Sequence, residues 1–156
     1  MVGLTRDYNP FGNVDLHIPV AYRDEVKRYT TTQGGDGDTS EESAPFERYV
    51  DLWAAAVAVG AEEGVYVSLA SSDQHRFIQG SVLQGDLVRI ELLQLIAIAY
   101  TEDPYVVTDA RKVIEIADAY AAGGLPILID WLRGGVQTPM VSVTKNLIGF
   151  LSDKTP

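Results

Sequence analysis

Hydrophobic and polar positions alternate with two different periods along this chain. In VDLHIPV, Val14, Leu16, Ile18 and Val20 alternate with Asp15, His17 and Pro19. Period two predicts a half-buried strand, and Pro19 places it at a sheet edge because it cannot donate to a ladder. A short helix is expected from about Arg23 to Thr30. Beyond it the period changes. Phe46, Tyr49, Val50, Trp53, Val57 and Gly60 fall on one face of a helix capped by Ser43, with Pro45 in its first turn. Glu62-Glu63-Gly64 stops that helix, and VYVSL reads as a second short strand with Val65, Val67 and Leu69 on one face.

Asp86 can cap a helix running to Tyr100, which is apolar on nearly all sides except at Arg89, Glu91 and Gln94. Such a helix is expected at the centre of the fold. Thr108 caps a helix from Asp109 to Ala122, with Val113, Ile116, Ala117 and Tyr120 inward. Gly123-Gly124 is expected to end it, and Pro126 to start a short helix ending at Gly134-Gly135. Thr138-Pro139 opens a last helix to about Leu151, with Met140, Val143, Leu147 and Phe150 or Leu151 inward. These elements predict a mainly α fold: five or six helices around a central apolar helix, a few short strands, one compact domain.

Residues 31–44, TTQGGDGDTSEESA, interrupt the pattern and contain no large apolar residue. They predict a flexible acidic loop, longer than most connections within a domain. The wider composition agrees with its sign. The net charge is −10, from 12 basic and 22 acidic residues, and the acid is spread along the chain. Neither half presents the basic face that phosphate contacts require, so direct nucleic-acid binding is disfavoured. There is no cysteine, which excludes disulfides, thiolate metal sites and thiol catalysis. The start, MVGLTRDYNPFGN, lacks the blocks of a signal peptide. The longest apolar stretch, Leu92 to Tyr100, is too short to span a bilayer. The expectation is a cytoplasmic protein with no membrane contact.

Candidate chemistry is sparse. Asp36, Asp38, Ser40 and Glu47 fit positions 1, 3, 5 and 12 of a calcium loop, but Glu41 stands where that loop needs glycine. A solvated acidic loop is the better reading. His75 lies in SSDQHRF beside Ser71, Ser72 and Asp73, yet a hydrolytic triad draws its members from distant segments, and no G-x-S-x-G occurs. Glu115 and Asp118 share a helix face without a third ligand and read as its wet side. No catalytic residue, metal or cofactor is expected.

PFERYVDLWAAAVAVGAEEG, LLQLIAIAYTED and KVIEIADAYAAGGLPIL, in that order, resemble the small proteins encoded beside bacterial DNA phosphorothioation (Dnd) modification–restriction genes. The resemblance covers about residues 45–132. The stretch VYVSLASSDQHRF departs from the basic character expected there, and the first 44 residues and the tail after Gly135 lie outside it. No catalytic residues come with it. It implies a non-enzymatic accessory or adaptor subunit of an antiphage or DNA-modification system, acting on larger protein subunits. The expected contact surface comprises Asp36, Asp38, Glu41, Glu42, Tyr66, Asp73, His75 and Arg76. The rival expectation is a dimeric, ribbon–helix–helix-like DNA-binding regulator. Its ribbon would be Val14, Leu16, His17 and Ile18, and its exposed edge also makes a homodimer plausible.

Overall fold

A long helix that the sequence reads as two pieces organises the molecule. The computed structural model describes residues 7–31 and 42–155. Among these, β1 is Asp15–Pro19, α1 Arg23–Arg28, α2 Tyr49–Glu63, β2 Gln74–Gln79, α3 Leu87–Thr101, α4 Ala110–Arg133 and α5 Pro139–Lys154. Short 3-10 turns precede α1, β2, α3 and α4. The class is as expected: five helices and one small antiparallel sheet, β1 with β2.

The centre is α4, not α3. Thirteen residues of α4 are buried, from Val113 to Leu132, and α2, α3, α5 and β1 all pack on it. On α3 only Ile90, Leu93 and Ala97 are buried. An apolar sequence all round a helix can be covered on one side and left bare on the other.

Gly123 and Gly124 do not stop α4, because both are pressed against other backbone. A Cβ on Gly124 would overlap the Ala56 carbonyl and the Gly60 amide of α2, and one on Gly123 would overlap the Val65 carbonyl. Gly60 is the reciprocal contact, lying against the Tyr120 carbonyl. Small residues on both helices let α2 and α4 approach closely, and this is the broadest contact in the fold. Pro126 lies inside α4. A proline there removes one helical hydrogen bond and costs about 3 kcal/mol, but Leu125, Leu128, Ile129 and Leu132 are all buried around it. Each such side chain contributes about 1.5–3 kcal/mol on burial, so packing outweighs the local break.

The cap of α4 is Asp109, whose carboxylate accepts the Lys112 N–H at 3.1 Å, rather than Thr108. Asp86 caps α3 as expected, accepting from the Arg89 N–H at 3.2 Å. Helix α2 starts later than Ser43 and Pro45 indicate. Phe46 is instead held in a parallel bridge to Thr30, and the helix begins where Asp51 accepts the Arg48 N–H at 3.0 Å. Gly64 ends α2 in the left-handed conformation, φ 68°.

The second strand is not VYVSL. Residues 65–70 run without regular structure, with the Val67 N–H bonded to the Ala119 carbonyl at 3.0 Å. The strand is β2, nine residues later, and it pairs with β1 from Asp15 opposite Gln79 to Pro19 opposite Gln74. The register slips between Leu16 and His17, where Phe77 has no partner. In α5, Met140, Val143 and Phe150 are partly covered, whereas Leu147 and Leu151 are exposed and Ser142 is buried. The loop reading over 31–44 falls largely on residues outside those described. Its described ends are tied: the Thr31 N–H donates to the Phe46 carbonyl, and the Glu42 carbonyl accepts the Met140 N–H, both at 2.9 Å.

Candidate functional site

The alternation in β1 holds on its apolar face, where Leu16 and Ile18 are fully buried. On the other face His17 does not point to solvent, because α4 runs beside the strand. Its Nδ1 lies 2.9 Å from Asp118 Oδ2. Its backbone N–H donates to Asp118 Oδ1 at 2.8 Å. Trp53 Nε1, reaching across from α2, donates to the same oxygen at 3.2 Å. Three elements are thus tied at one carboxylate, and the His17 amide on β1 is already engaged within the chain.

Asp118 is not on the wet side of α4. Its side chain is 12% exposed. Burial pushes its carboxyl above the usual range, and the donors from His17 and Trp53 pull the other way. Burying a charge is costly unless it is paired and hydrogen-bonded, and this carboxylate has both. The hydrogen bond to Asp118 in turn raises His17 above its ordinary 6.5, against the opposing effect of burial. With Nδ1 committed to Asp118, the imidazole has a fixed orientation and its Nε2 makes no hydrogen bond to the described residues.

This pair lines a cavity of about 460 Å³ between β1, the first turns of α4 and the 67–69 segment. Arg111, Ile114, Glu115 and Asp118 lie at i, i+3, i+4 and i+7 along its α4 wall. Asn13, Asp15, Ser68 and Gln74 supply other polar groups. Asp15 is paired with Arg76 at 3.1 Å, and Glu115 with Lys112 at 3.0 Å. Among the described residues no group of three or more histidines or acids is placed to hold a metal ion.

The residues of the anticipated contact surface lie on several segments. Asp36, Asp38 and Glu41, with Ser40 of the calcium register, lie outside the described residues. Glu42 is exposed, as are Asp73 and Arg76. Tyr66 is partly buried instead, stacked on Tyr100 at 4.4 Å and edge-on to Tyr120. Burial and then the Tyr100 hydrogen bond push its hydroxyl well above the ordinary value. His75 sits in β2 opposite Ile18, with its ring 6.5 Å from that of Phe77. Ser71, Ser72 and Asp73 form an exposed turn beside it. The histidine that a carboxylate orients is His17.

Asp118 could have been found by period. Ile114, Ala121 and Leu125 lie at i−4, i+3 and i+7 from it, and all are apolar. An acid in the middle of such a stripe is a buried acid that needs partners.

Two helices leave apolar side chains uncovered. On α3, Val88, Leu92 and Leu95 are 78%, 41% and 62% exposed, and Ala99 continues the stripe. On α5, Val141, Leu147, Ile148 and Leu151 are exposed. Among the described residues no helix is long and apolar enough to cross a membrane.

No curated protein and no solved structure matches the chain. One family does, over residues 37–153. That span reaches well past residue 132 and takes in α5, which the sequence resemblance left outside. It covers Trp53, Asp118 and the α2–α4 crossing, but not His17. The chain belongs to the family described as DNA sulphur modification system-associated protein 4.

Proposed function

We propose that this chain is a non-enzymatic accessory subunit that serves a bacterial DNA sulphur modification system by docking a larger protein subunit on α3. The reading rests on the stripe Val88, Leu92, Leu95 and Ala99, at i, i+4, i+7 and i+11 on the exposed side of that helix. This spacing is the seam that one helix offers another. Acid borders it: Glu91 lies between Val88 and Leu95, and Glu102 and Asp103 follow the helix end, all exposed. The partner this chemistry fits is an amphipathic helix with a basic margin, since complementary charge sets orientation and speeds encounter. The overall charge of −10 favours the same partner.

Glu42, Asp73, His75 and Arg76, with Asp36, Asp38 and Glu41, form a second contact region in this proposal. Tyr66, stacked on Tyr100, is included in the same proposed region. A cytoplasmic, antiphage setting belongs to the same reading. The test is titration of the purified chain with the proteins encoded in its DNA sulphur modification system. Binding that weakens at least tenfold in the double variant Val88→Asp, Leu95→Asp supports α3 docking. Binding unaffected by that variant overturns it.

A further inference from the structure

The cavity beside β1 has a charge pattern that the docking surface does not explain. Each carboxylate on its wall has a cation of its own: Asp15 with Arg76, Glu115 with Lys112, and Asp118 with His17. Arg111 is the exception. It lies on the α4 wall and makes no ion pair among the described residues. Two neutral side chains lining the same cavity from other segments, Asn13 and Ser68, also make no hydrogen bond to the described residues. Nor does His17 Nε2, although the ring is oriented by the bond from Nδ1 to Asp118. The cavity lining therefore includes a guanidinium, an oriented imidazole nitrogen, an amide and a hydroxyl, each with unused capacity.

We infer that this cavity binds a small molecule through an oxyanion, with Arg111 and His17 Nε2 holding the charged group and Asn13 and Ser68 completing its hydrogen bonds. Guanidinium groups match planar or tetrahedral oxyanions through paired N–H donors. His17 gives a second cationic donor when protonated, and its bond to Asp118 favours that state. The volume of about 460 Å³ exceeds a bare ion and lies in the range of small-molecule sites. Val67, an exposed lining residue, gives the rest of such a ligand an apolar contact. The site is separate from α3, so its failure would leave the docking proposal standing.

The probes are inorganic phosphate and acetate, each titrated at constant ionic strength with chloride as background. The readout is the His17 ring resonances, with the indole N–H of Trp53 as a second reporter because it shares Asp118. A saturable shift with either ion is expected, and at least tenfold weaker apparent affinity in Arg111→Gln. Arg111 is exposed, so this variant keeps the fold, which the unchanged free-state resonances of Trp53 will verify. A stronger response to acetate identifies a carboxylate ligand, and a stronger response to phosphate a phosphoryl ligand. No saturable shift with either ion, or an equal shift in Arg111→Gln, overturns the inference.

Discussion

Gly124→Ala tests the helix crossing that places Asp118 beside Trp53. In most helices this exchange is favourable, because alanine restores about 0.5–1 kcal/mol of propensity. At Gly124 the new methyl meets the Ala56 carbonyl and the Gly60 amide of α2. These are main-chain atoms, so no rotamer change relieves the overlap and the helices must part. Overpacking of this kind costs about 1–3 kcal/mol, and a main-chain clash belongs at the upper end of that range. After the propensity gain, a net loss of about 2 kcal/mol is expected. For a chain of this size that lowers Tm by roughly 4–8 °C. Gly149→Ala is the matched control: it lies in α5 with nothing within 4 Å of the added carbon. The same exchange there should stabilise by about 0.5–1 kcal/mol. Thermal and urea unfolding of both variants give the comparison. A Gly124→Ala protein as stable as the Gly149→Ala protein would refute the close crossing of α2 and α4.

Other expectations follow from the carboxylate that joins three elements. The folded value of His17 lies above 6.5, so the folded state binds its proton more tightly than the unfolded chain. Its stabilising effect is whole below about pH 6.5 and is lost as pH rises through the folded value; Asp118, also raised, acts in the same direction. Unfolding measured from pH 5 to 9 should show this decline, and His17→Asn should flatten it. Trp53→Phe removes one donor to Asp118 and leaves space in the core, at a cost of about 1–3 kcal/mol by urea unfolding. Asp118→Asn should lower the His17 value, followed by proton NMR of the ring, because the anion that favours the imidazolium is gone. Val88→Asp with Leu95→Asp should leave Tm within about 2 °C of the parent, since both side chains are exposed.

Local signals read well where local physics decides. The cap at Asp86, the left-handed stop at Gly64 and the opening of α5 at Pro139 each depend on a few neighbouring residues. The errors arise where distant residues decide. Gly123-Gly124 carries the sequence signature of a helix stop, yet its meaning comes from Ala56 and Gly60 on another helix. VYVSL has strand-like alternation, but β1 pairs with QHRFIQ, which has little of it. Leu87 to Tyr100 is apolar all round, and only packing shows which side α4 covers. His17 was legible as a candidate but its direction was not, because Asp118 lies 101 positions away. The stretch 32–41 is legible as acidic, a property of composition that needs no fold.

The most direct measurement of the docking claim is hydrogen exchange on the chain, free and in complex with the subunits of its DNA sulphur modification system. The account predicts slowed exchange concentrated in residues 87–105, covering α3 and the turn after it, and loss of that protection in the Val88→Asp, Leu95→Asp variant. A complex that forms with α3 exchanging as it does in the free chain contradicts the claim.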